Sequence, residues 1–241
     1  MAKATFYCAE LEPGTKQLIF NEDESRHLRA ARRLRVGQHI RVLNGRGLTA
    51  EAELTQVARN LCSADILSSE PAEPLARRLT IAVAVPKGDR QRYMIESLVQ
   101  LGVSKIIPLE CEYSATSAHQ KSVQKWPRYV IEAMKQSGNP WLTQVESGLS
   151  VAGLVQQYTS SECFAGWVAD PQGEQMPTRA GPPAGQESKV EHVIAIGPEG
   201  GFSAKEQQLL AEHGFKGLQL AAYILRIEAA AIVAASKLSE N

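Results

Sequence analysis

The chain has 241 residues, of which 44% are hydrophobic and 22% are charged, and its formal net charge is zero. This is the composition of an ordinary globular protein, long enough for one large domain or for a small domain and a medium one, and it excludes a chain that is disordered throughout. The zero net charge argues against a strongly basic nucleic-acid-binding protein, and no apolar run approaches the roughly 20 residues that a membrane-spanning helix needs.

The amino-terminal residues and the cysteines predict a cytoplasmic protein without a metal. The sequence Met-Ala-Lys-Ala-Thr-Phe at the start lacks the long apolar core of a signal peptide. The cysteines form no Cys-x-x-Cys pair and the five histidines form no cluster, so we expect neither a metal site nor a redox dithiol. The expectation is four buried, reduced thiols, at Cys8, Cys62, Cys111 and Cys163.

Residues 1–72 have the pattern of a small, mainly β module. Asn21-x-x-Glu24 has the form of a helix cap, and Gly37 is expected to end that helix. The segments Ile40–Val42 and Ala50–Leu54 predict half-buried strands, with a turn at Asn44–Gly47 between them.

A basic segment lies inside this module. Between Ser25 and Ala50 there are seven arginines and no acidic residue, and Arg26, Arg29 and Arg33 share one face of the predicted helix. Such a segment is compatible with binding to RNA phosphates. It is equally compatible with a solvated helix face, and charge alone does not decide between the two.

The remainder of the chain predicts a parallel α/β domain. Ser68–Leu75, rich in proline and polar residues, is a plausible linker, and strand and helix patterns alternate after it, which predicts a parallel sheet covered on both faces. The predicted strands are Leu79–Val85, Lys105–Leu109, Cys163–Val168, Val193–Ile196 and Leu218–Ala221, and the predicted helices are Met94–Leu101, Val123–Gln136, Ser203–Gly214 and Glu228–Leu238. A stretch at about 171–190, rich in Pro, Gly and Gln, predicts a long mobile loop within a domain of residues 73–241.

The turn after the fourth of these strands predicts a ligand site. Ile196–Ser203 contains three glycines and a proline, so a ligand can approach the backbone closely there, and strand ends are where α/β folds bind ligands. A merely tight turn seldom needs three glycines. Glu199 would repel a phosphate, so a cationic or neutral ligand fits better. A nicotinamide-dependent oxidoreductase is a weaker alternative, because the turn lacks Gly-x-Gly-x-x-Gly.

A second segment, Tyr223–Glu228, lies between the last predicted strand and an alanine-rich helix. Arg226 and Glu228 are charged residues two positions apart beside a helix that must be buried, which suggests that they belong to a site. For Glu228, an ordinary acidic residue favoured by the helix dipole explains the pattern equally well.

Together the two segments resemble the RsmE family. These SPOUT-class methyltransferases use S-adenosylmethionine to methylate N3 of a uridine in 16S ribosomal RNA. The resemblance covers nearly the whole chain. The residues that carry it are His27-Leu28, Arg33, Val36-Gly37, Gly45-x-Gly47, Lys87-Gly-Asp-Arg90, Leu101-Gly-Val, Glu132-Ala133, Gln136-Ser-Gly138, Ile196–Gly201 and Leu225-Arg-Ile-Glu228.

The resemblance implies a PUA-like β-barrel that binds RNA, followed by a SPOUT domain with a deep trefoil knot. It also implies a homodimer that acts on the small ribosomal subunit. The cofactor-binding residues would be Val168, Ala169, Asp170, Ile196, Gly197, Pro198, Glu199, Gly200, Gly201, Leu220, Ala221, Ile224 and Leu225. The RNA-binding residues would be Arg26, Arg29, Arg33, Arg46, Lys87, Arg90 and Tyr223. Our hypothesis for catalysis is that Arg226 supplies positive charge to the uracil and that Glu228 orients the site or takes the proton.

Several positions depart from the family pattern. The family usually has arginine where Tyr113 and Asn139 stand, and often where Tyr223 stands, and it has glycine at the position of Ala221. Fewer cations mean weaker contact with RNA, although the tyrosines could stack on a base instead. The alternative is therefore a SPOUT paralogue that acts on a different RNA, or a dimer that binds RNA or cofactor without catalysis.

Overall fold

The computed structural model describes residues 3–32, 34–58, 61–73, 78–159, 164–175 and 190–239. The chain divides into two compact units. The first consists of Met1–Pro74 and Ile131–Leu142, and the second consists of Leu75–Val130 and Thr143–Asn241. The assignment of 131–142 to the first unit has no counterpart in the sequence pattern.

The first unit contains five strands and a helix. They are β1 (Thr5–Tyr7), β2 (Gln17–Phe20), α1 (Glu22–Arg32), β3 (His39–Leu43), β4 (Leu48–Val57) and β5 (Cys62–Pro71). The strand order is β1-β3-β4-β5-β2, parallel between β1 and β3 and antiparallel elsewhere. The rings of Phe6 and Phe20, on the two edge strands, lie with centroids 6.2 Å apart, so the sheet curls around one core. The predicted PUA-like module is confirmed.

The predicted turns and cap of this unit are also confirmed. The Asn21 side-chain oxygen accepts the backbone N–H of Glu24 at 2.9 Å, which caps α1. Gly47 has a positive φ of 85°, and the Asn44 side-chain oxygen accepts the N–H of Leu48 at 3.0 Å. In contrast, Ser68–Pro71, predicted as linker, belongs to β5. These residues pair with the start of β4 but are exposed, so no apolar alternation marks them as a strand.

Residues 131–142 join the first unit through specific contacts. Lys135 Nζ donates to the Glu24 carboxylate at 2.5 Å, and both side chains are nearly buried. The N–H of Gly47 donates to the carbonyl of Pro140 at 3.0 Å. A Cβ on Gly47 would lie 2.4 Å from the Trp141 ring, so only glycine leaves room for this tryptophan.

The second unit alternates strands and helices as predicted. Its elements, with the helix that continues into the first unit, are β6 (Arg78–Ala84), α2 (Arg90–Gln100), β7 (Lys105–Glu110), α3 (Trp126–Ser137), β8 (Gln144–Val145), β9 (Leu149–Ser150), α4 (Val151–Thr159), β10 (Phe164–Gln175), β11 (Glu191–Ile196), α5 (Ala204–Glu212), β12 (Lys216–Gln219) and α6 (Ile227–Ser239). Helix α4 was not predicted. The Ser203–Glu206 capping box at the start of α5 is confirmed.

The sheet of the second unit is parallel at every described pairing. Its order is β12-β10-β11-β6-β7-β8, with β9 also pairing with β7. Helix α6 packs on α2, β6 and β11 through buried alanines, among them Ala231 and Ala234. Because β10 lies between β11 and β12, the connection from β11 to β12 passes across β10. The trefoil knot stays a prediction.

The first residues of the predicted loop at about 171–190 belong to a strand instead. Residues 171–175 continue β10, and Glu174 and Gln175 pair with β12 beyond a bulge that follows Ala169. This part of the prediction was wrong because these polar residues lie on a largely exposed strand end, where no hydrophobic period marks pairing. Residues 176–189 lie outside the described residues. None of the helices in the described part of the chain has the length and apolar character needed to cross a membrane.

Candidate functional site

The bulge of β10 and the loops after β11 and β12 meet at the carboxyl edge of the parallel sheet. Val168 of β10 is in register with Ala195 of β11 on one side and with Gly217 of β12 on the other. Because the three strands are adjacent and parallel, the bulge of β10 and the loops that follow β11 and β12 lie side by side. The structure therefore brings together the three predicted cofactor segments, which are 168–170, 196–201 and 220–225.

The loop after β11 is a narrow glycine turn. The N–H of Gly201 donates to the carbonyl of Pro198 at 2.9 Å, and Gly201 has a φ of 73°, which favours glycine. A Cβ on Gly197 would lie 3.1 Å from the Phe202 ring, and one on Gly200 would lie 3.1 Å from Tyr113 Cβ. The glycines therefore let the turn fit between two aromatic residues.

The capping residue Glu206 also ties this turn to a neighbouring loop. One of its carboxylate oxygens accepts the N–H of Ser203 at 2.8 Å, completing the capping box. The other accepts the N–H of Glu112 at 2.9 Å, in the segment after β7. This second bond fixes the backbone beside Tyr113 relative to the start of α5, and the capping-box pattern alone gave no indication of it.

The second half of β10, beyond its bulge, makes a close backbone approach to β12. A Cβ on Gly173 would lie 2.4 Å from the carbonyl carbon of Gly217 and 2.5 Å from the nitrogen of Leu218. The Asp170 side chain accepts the N–H of Gln172 at 2.8 Å, which folds the chain back at the bulge. The two strands therefore hold each other through backbone contact.

The loop after β12 presents exposed side chains and then a buried acid. Tyr223 and Ile224 are each 86% exposed, and Arg226 is also exposed. The Arg226 carbonyl accepts the N–H of Ala230 at 2.8 Å, which starts α6. Glu228, in the first turn of that helix, is only 7% exposed.

Glu228 faces Arg90, a residue that the family resemblance predicts to bind RNA. Arg90 Nη1 lies 3.6 Å from Glu228 Oε2 and 4.0 Å from Glu199 Oε1. Arg90 Nε also donates to the Lys87 carbonyl at 3.3 Å. The site therefore contains an arginine between two carboxylates, a grouping that sequence spacing does not reveal because the three residues lie on different elements.

The other predicted RNA-binding residues fall in both units. In the first unit, Arg26 pairs with Glu22 at 3.1 Å and Asp23 at 3.3 Å, Arg29 is exposed, and Arg46 donates to Glu12 and to the Ala9 carbonyl. Arg33 lies outside the described residues. In the second unit, Lys87 is exposed, as is Tyr223.

The residues that replace family arginines make their own contacts. Tyr113, 54% exposed, has its Cβ against the glycine turn at Gly200. Asn139, in the first unit, accepts the N–H of Trp141 through its side-chain oxygen at 2.9 Å. Across the described ranges, no three His, Cys, Asp or Glu side chains are grouped so that they could hold a metal ion.

Two of the buried thiols give a pH-dependent prediction. Burial, with Glu206 nearby, raises the pKa of Cys111 to about 12, and burial also raises that of Cys8 to about 11. At pH 8 we expect iodoacetamide to modify Cys111 roughly 1,000-fold more slowly in the folded protein than in urea, since three pKa units separate the thiolate fractions. Mass mapping of alkylated peptides over time measures this rate.

The same shift sets a direction for stability. In the unfolded protein the thiols ionise above about pH 9, whereas the buried thiols of the folded protein stay protonated there. The stabilisation of the folded protein by thiol burial is therefore fully present below about pH 9 and is lost as the pH rises towards 12. Alkylation of Cys111 at equal rates in the folded protein and in urea would contradict the burial argument. Cys62 is also buried and free, whereas Cys163 lies outside the described residues.

A parallel sheet with a backbone-lined turn and charged residues at its carboxyl edge defines an α/β protein with a candidate small-molecule site there. Residues 73–239 match the family model of the RNA methyltransferase domain, and residues 20–67 match that of the RNA methyltransferase PUA domain. The first match covers more than half of the chain, and the protein therefore belongs to the RNA methyltransferase family.

The curated relatives confirm the predicted resemblance to the RsmE family. Ribosomal RNA small subunit methyltransferase E of Synechocystis sp. is 29% identical over 213 residues, which cover 88% of this chain and 69% of the relative. The protein of the same name from Rickettsia conorii is 25% identical over 94% of this chain and 90% of its own.

Solved structures show that the fold is shared. The Neisseria gonorrhoeae ribosomal RNA small subunit methyltransferase E bound to S-adenosyl methionine aligns with a TM-score of 0.87 and 24% identity, over 98% of this chain and 97% of its own. A putative methyltransferase of Legionella pneumophila in complex with the same cofactor aligns with a TM-score of 0.86 and 23% identity, over 99% and 97%. The predicted fold class is thereby confirmed.

Proposed function

We propose that the protein uses S-adenosylmethionine to methylate N3 of a uridine in 16S ribosomal RNA, acting as a cytoplasmic homodimer on the small ribosomal subunit. The observation that carries this proposal is the meeting of the β10 bulge and the loops after β11 and β12 at one sheet edge, with Arg226 and Glu228 beside them, in a chain of the RNA methyltransferase family. Its RsmE relatives support ribosomal RNA as the substrate.

The residues present fit S-adenosylmethionine. Its sulfonium is a cation and its adenosine is uncharged, so the site needs close backbone contact and no phosphate clamp. The turn at Gly197–Gly201 offers that contact, because a Cβ at Gly197 or Gly200 would fill space beside an aromatic side chain. Glu199, exposed in the turn, and the buried Glu228 suit a cationic ligand better than an anionic one.

When bound, S-adenosylmethionine supplies an electrophilic methyl group. The protein must then place uracil N3 in line with that methyl group and favour the loss of the N3 proton. The exposed Arg226 guanidinium would stabilise the negative charge that develops on the uracil oxygens. Glu228 is buried beside Arg90, which supports an orienting role over direct proton transfer.

The first unit would hold the RNA backbone. Arg29 and Arg46 are exposed on it, although Arg46 also donates to Glu12. Binding through such contacts weakens steeply as salt rises. In the second unit, the exposed side chains of Tyr223 and Ile224 support a further contact surface, which we assign to the homodimer and the RNA.

Transfer of a tritiated methyl group from S-adenosylmethionine tests the proposal. The substrates are small ribosomal subunits that lack the modification, subunits that carry it, and protein-free 16S RNA. We expect incorporation into the subunits that lack the modification and none into the subunits that carry it. Nuclease digestion of the labelled RNA should release N3-methyluridine. Cofactor binding without incorporation would contradict the proposal and favour a paralogue with another RNA substrate or a non-catalytic dimer. Calorimetric binding of NAD in place of S-adenosylmethionine would favour the oxidoreductase.

A further inference from the structure

The carboxylate of Glu228 is buried in a way that requires a partner. Its Oε2 atom is inaccessible to solvent and forms no hydrogen bond among the described residues. A buried charge without compensation is strongly unfavourable. The positive group that the structure places beside it is Arg90 Nη1, at 3.6 Å.

Arg90 is itself fixed from several directions. Its Nε donates to the Lys87 carbonyl in the loop after β6, and its Nη1 also lies 4.0 Å from Glu199 in the glycine turn. The neighbouring Gln91 is buried, donates to the Pro86 carbonyl at 2.9 Å and accepts the Trp126 indole N–H at 2.9 Å. These contacts anchor the first turn of α2, whose first residue is Arg90.

We propose that Arg90 is a positioning residue of the methyl-transfer site, which holds Glu228 and Glu199 at fixed positions through one guanidinium group. It thereby joins three elements, which are the loop after β6, the glycine turn and the start of α6. This inference rests on the proposed function. A planar guanidinium that binds in several directions suits this role, and the point charge of lysine does not replace it.

This role differs from a phosphate contact in what it predicts. The Arg90 side chain is 34% exposed and faces two carboxylates, whereas Lys87 is exposed. Replacing a phosphate contact weakens RNA binding and reduces its salt dependence by about one counterion. Replacing a positioning residue changes cofactor affinity and turnover and leaves both RNA properties unchanged.

The experiment compares Arg90→Gln, Arg90→Lys, Lys87→Gln and the control Arg92→Gln. Arg92 lies on the same helix, is 55% exposed, pairs with Glu96 at 2.7 Å and lies over the Tyr129 ring at 5.5 Å, surface contacts worth about 1 kcal/mol or less each, which makes it a control for loss of a surface arginine outside the proposed site. For Arg90→Gln we expect S-adenosylmethionine Kd to rise about tenfold and kcat to fall about 100-fold, with RNA Kd and its salt slope unchanged. Arg90→Lys should recover only part of kcat. Lys87→Gln should reduce the salt slope of RNA binding.

Thermal unfolding without any ligand adds a second readout. We expect Arg90→Gln to lower Tm and the double variant Arg90→Gln/Glu228→Gln to recover most of it, because the double change removes the uncompensated carboxylate. Arg90→Gln with cofactor Kd and Tm equal to the Arg92→Gln control, and with a reduced RNA salt slope, would overturn the inference. If the wild type binds the cofactor but methylates no RNA, the proposed function fails, and the cofactor Kd and Tm still decide the role of Arg90.

Discussion

Replacing Arg226 by alanine should lower the methylation rate about 100- to 1,000-fold while leaving the affinity for S-adenosylmethionine unchanged. Removing one group that stabilises developing negative charge costs about this much when the bound substrate excludes water from it. Arg226 is exposed, directly precedes α6, and lies two positions before the buried Glu228. Single-turnover rates with saturating RNA measure the loss, and calorimetry measures cofactor binding.

Two further variants separate this role from a general loss of positive charge. Arg226→Lys keeps the charge and should retain part of the rate. Lys216→Ala removes an exposed cation at the start of β12, at the opposite end of that strand, and should leave the rate unchanged. A full methylation rate in Arg226→Ala, together with unchanged cofactor binding, would show that the charge on the uracil is stabilised by another group.

The second unit could be predicted well because its strands and helices have strong local patterns. Every residue of β6 after Arg78 is buried, so the apolar run alone identified a central strand. The capping box at Ser203 identified the start of α5 within one residue. In both cases the side chains that define the element also mark it in the sequence.

The two strand segments that were predicted as linker and loop lie where pairing depends on the backbone alone. Ser68–Pro71 and 171–175 are strand residues with mostly exposed polar side chains, so neither an apolar period nor their composition separates them from a loop. Residues 131–142 join the first unit through the Lys135 ion pair with Glu24 and the contact of Trp141 with Gly47. These contacts join distant parts of the chain, and no local pattern encodes them.

The candidate site likewise has one part that the sequence predicts and one part that it does not. Its glycine turn and the segment before α6 could be predicted because the unusual residues lie next to one another. The pairing of Arg90 with Glu199 and Glu228 could not, since it depends on β6 and β11 being neighbours in the sheet. Arg90, predicted from the resemblance to bind RNA, is therefore a candidate residue of the cofactor site because of the strand order.

Replacing Gly173 by alanine should destabilise the protein by about 3 kcal/mol, at the upper end of what overpacking costs. The new Cβ would lie 2.4 Å and 2.5 Å from backbone atoms of Gly217 and Leu218, and backbone atoms cannot turn aside as a flexible side chain can. The ends of β10 and β12 must therefore separate, which weakens the pairing of Glu174 with Leu218. We expect Tm to fall by roughly 6 to 12 °C in thermal denaturation.

The same change should weaken cofactor binding, because β10 itself and the loop after β12 carry two of the three predicted cofactor segments. We expect the Kd for S-adenosylmethionine to rise at least about tenfold in calorimetry below the transition temperature, as the segment 220–225 moves with β12. Gly153→Ala in α4 is the matched control, since its Cβ would make only ordinary contacts of 3.5 Å or more, and it should stabilise the helix slightly. If Gly173→Ala kept the wild-type Kd despite a lowered Tm, the cofactor would be held by the glycine turn without help from the β10–β12 contact. That outcome would remove 168–170 and 220–225 from the proposed pocket and leave Gly197–Gly201 as its core.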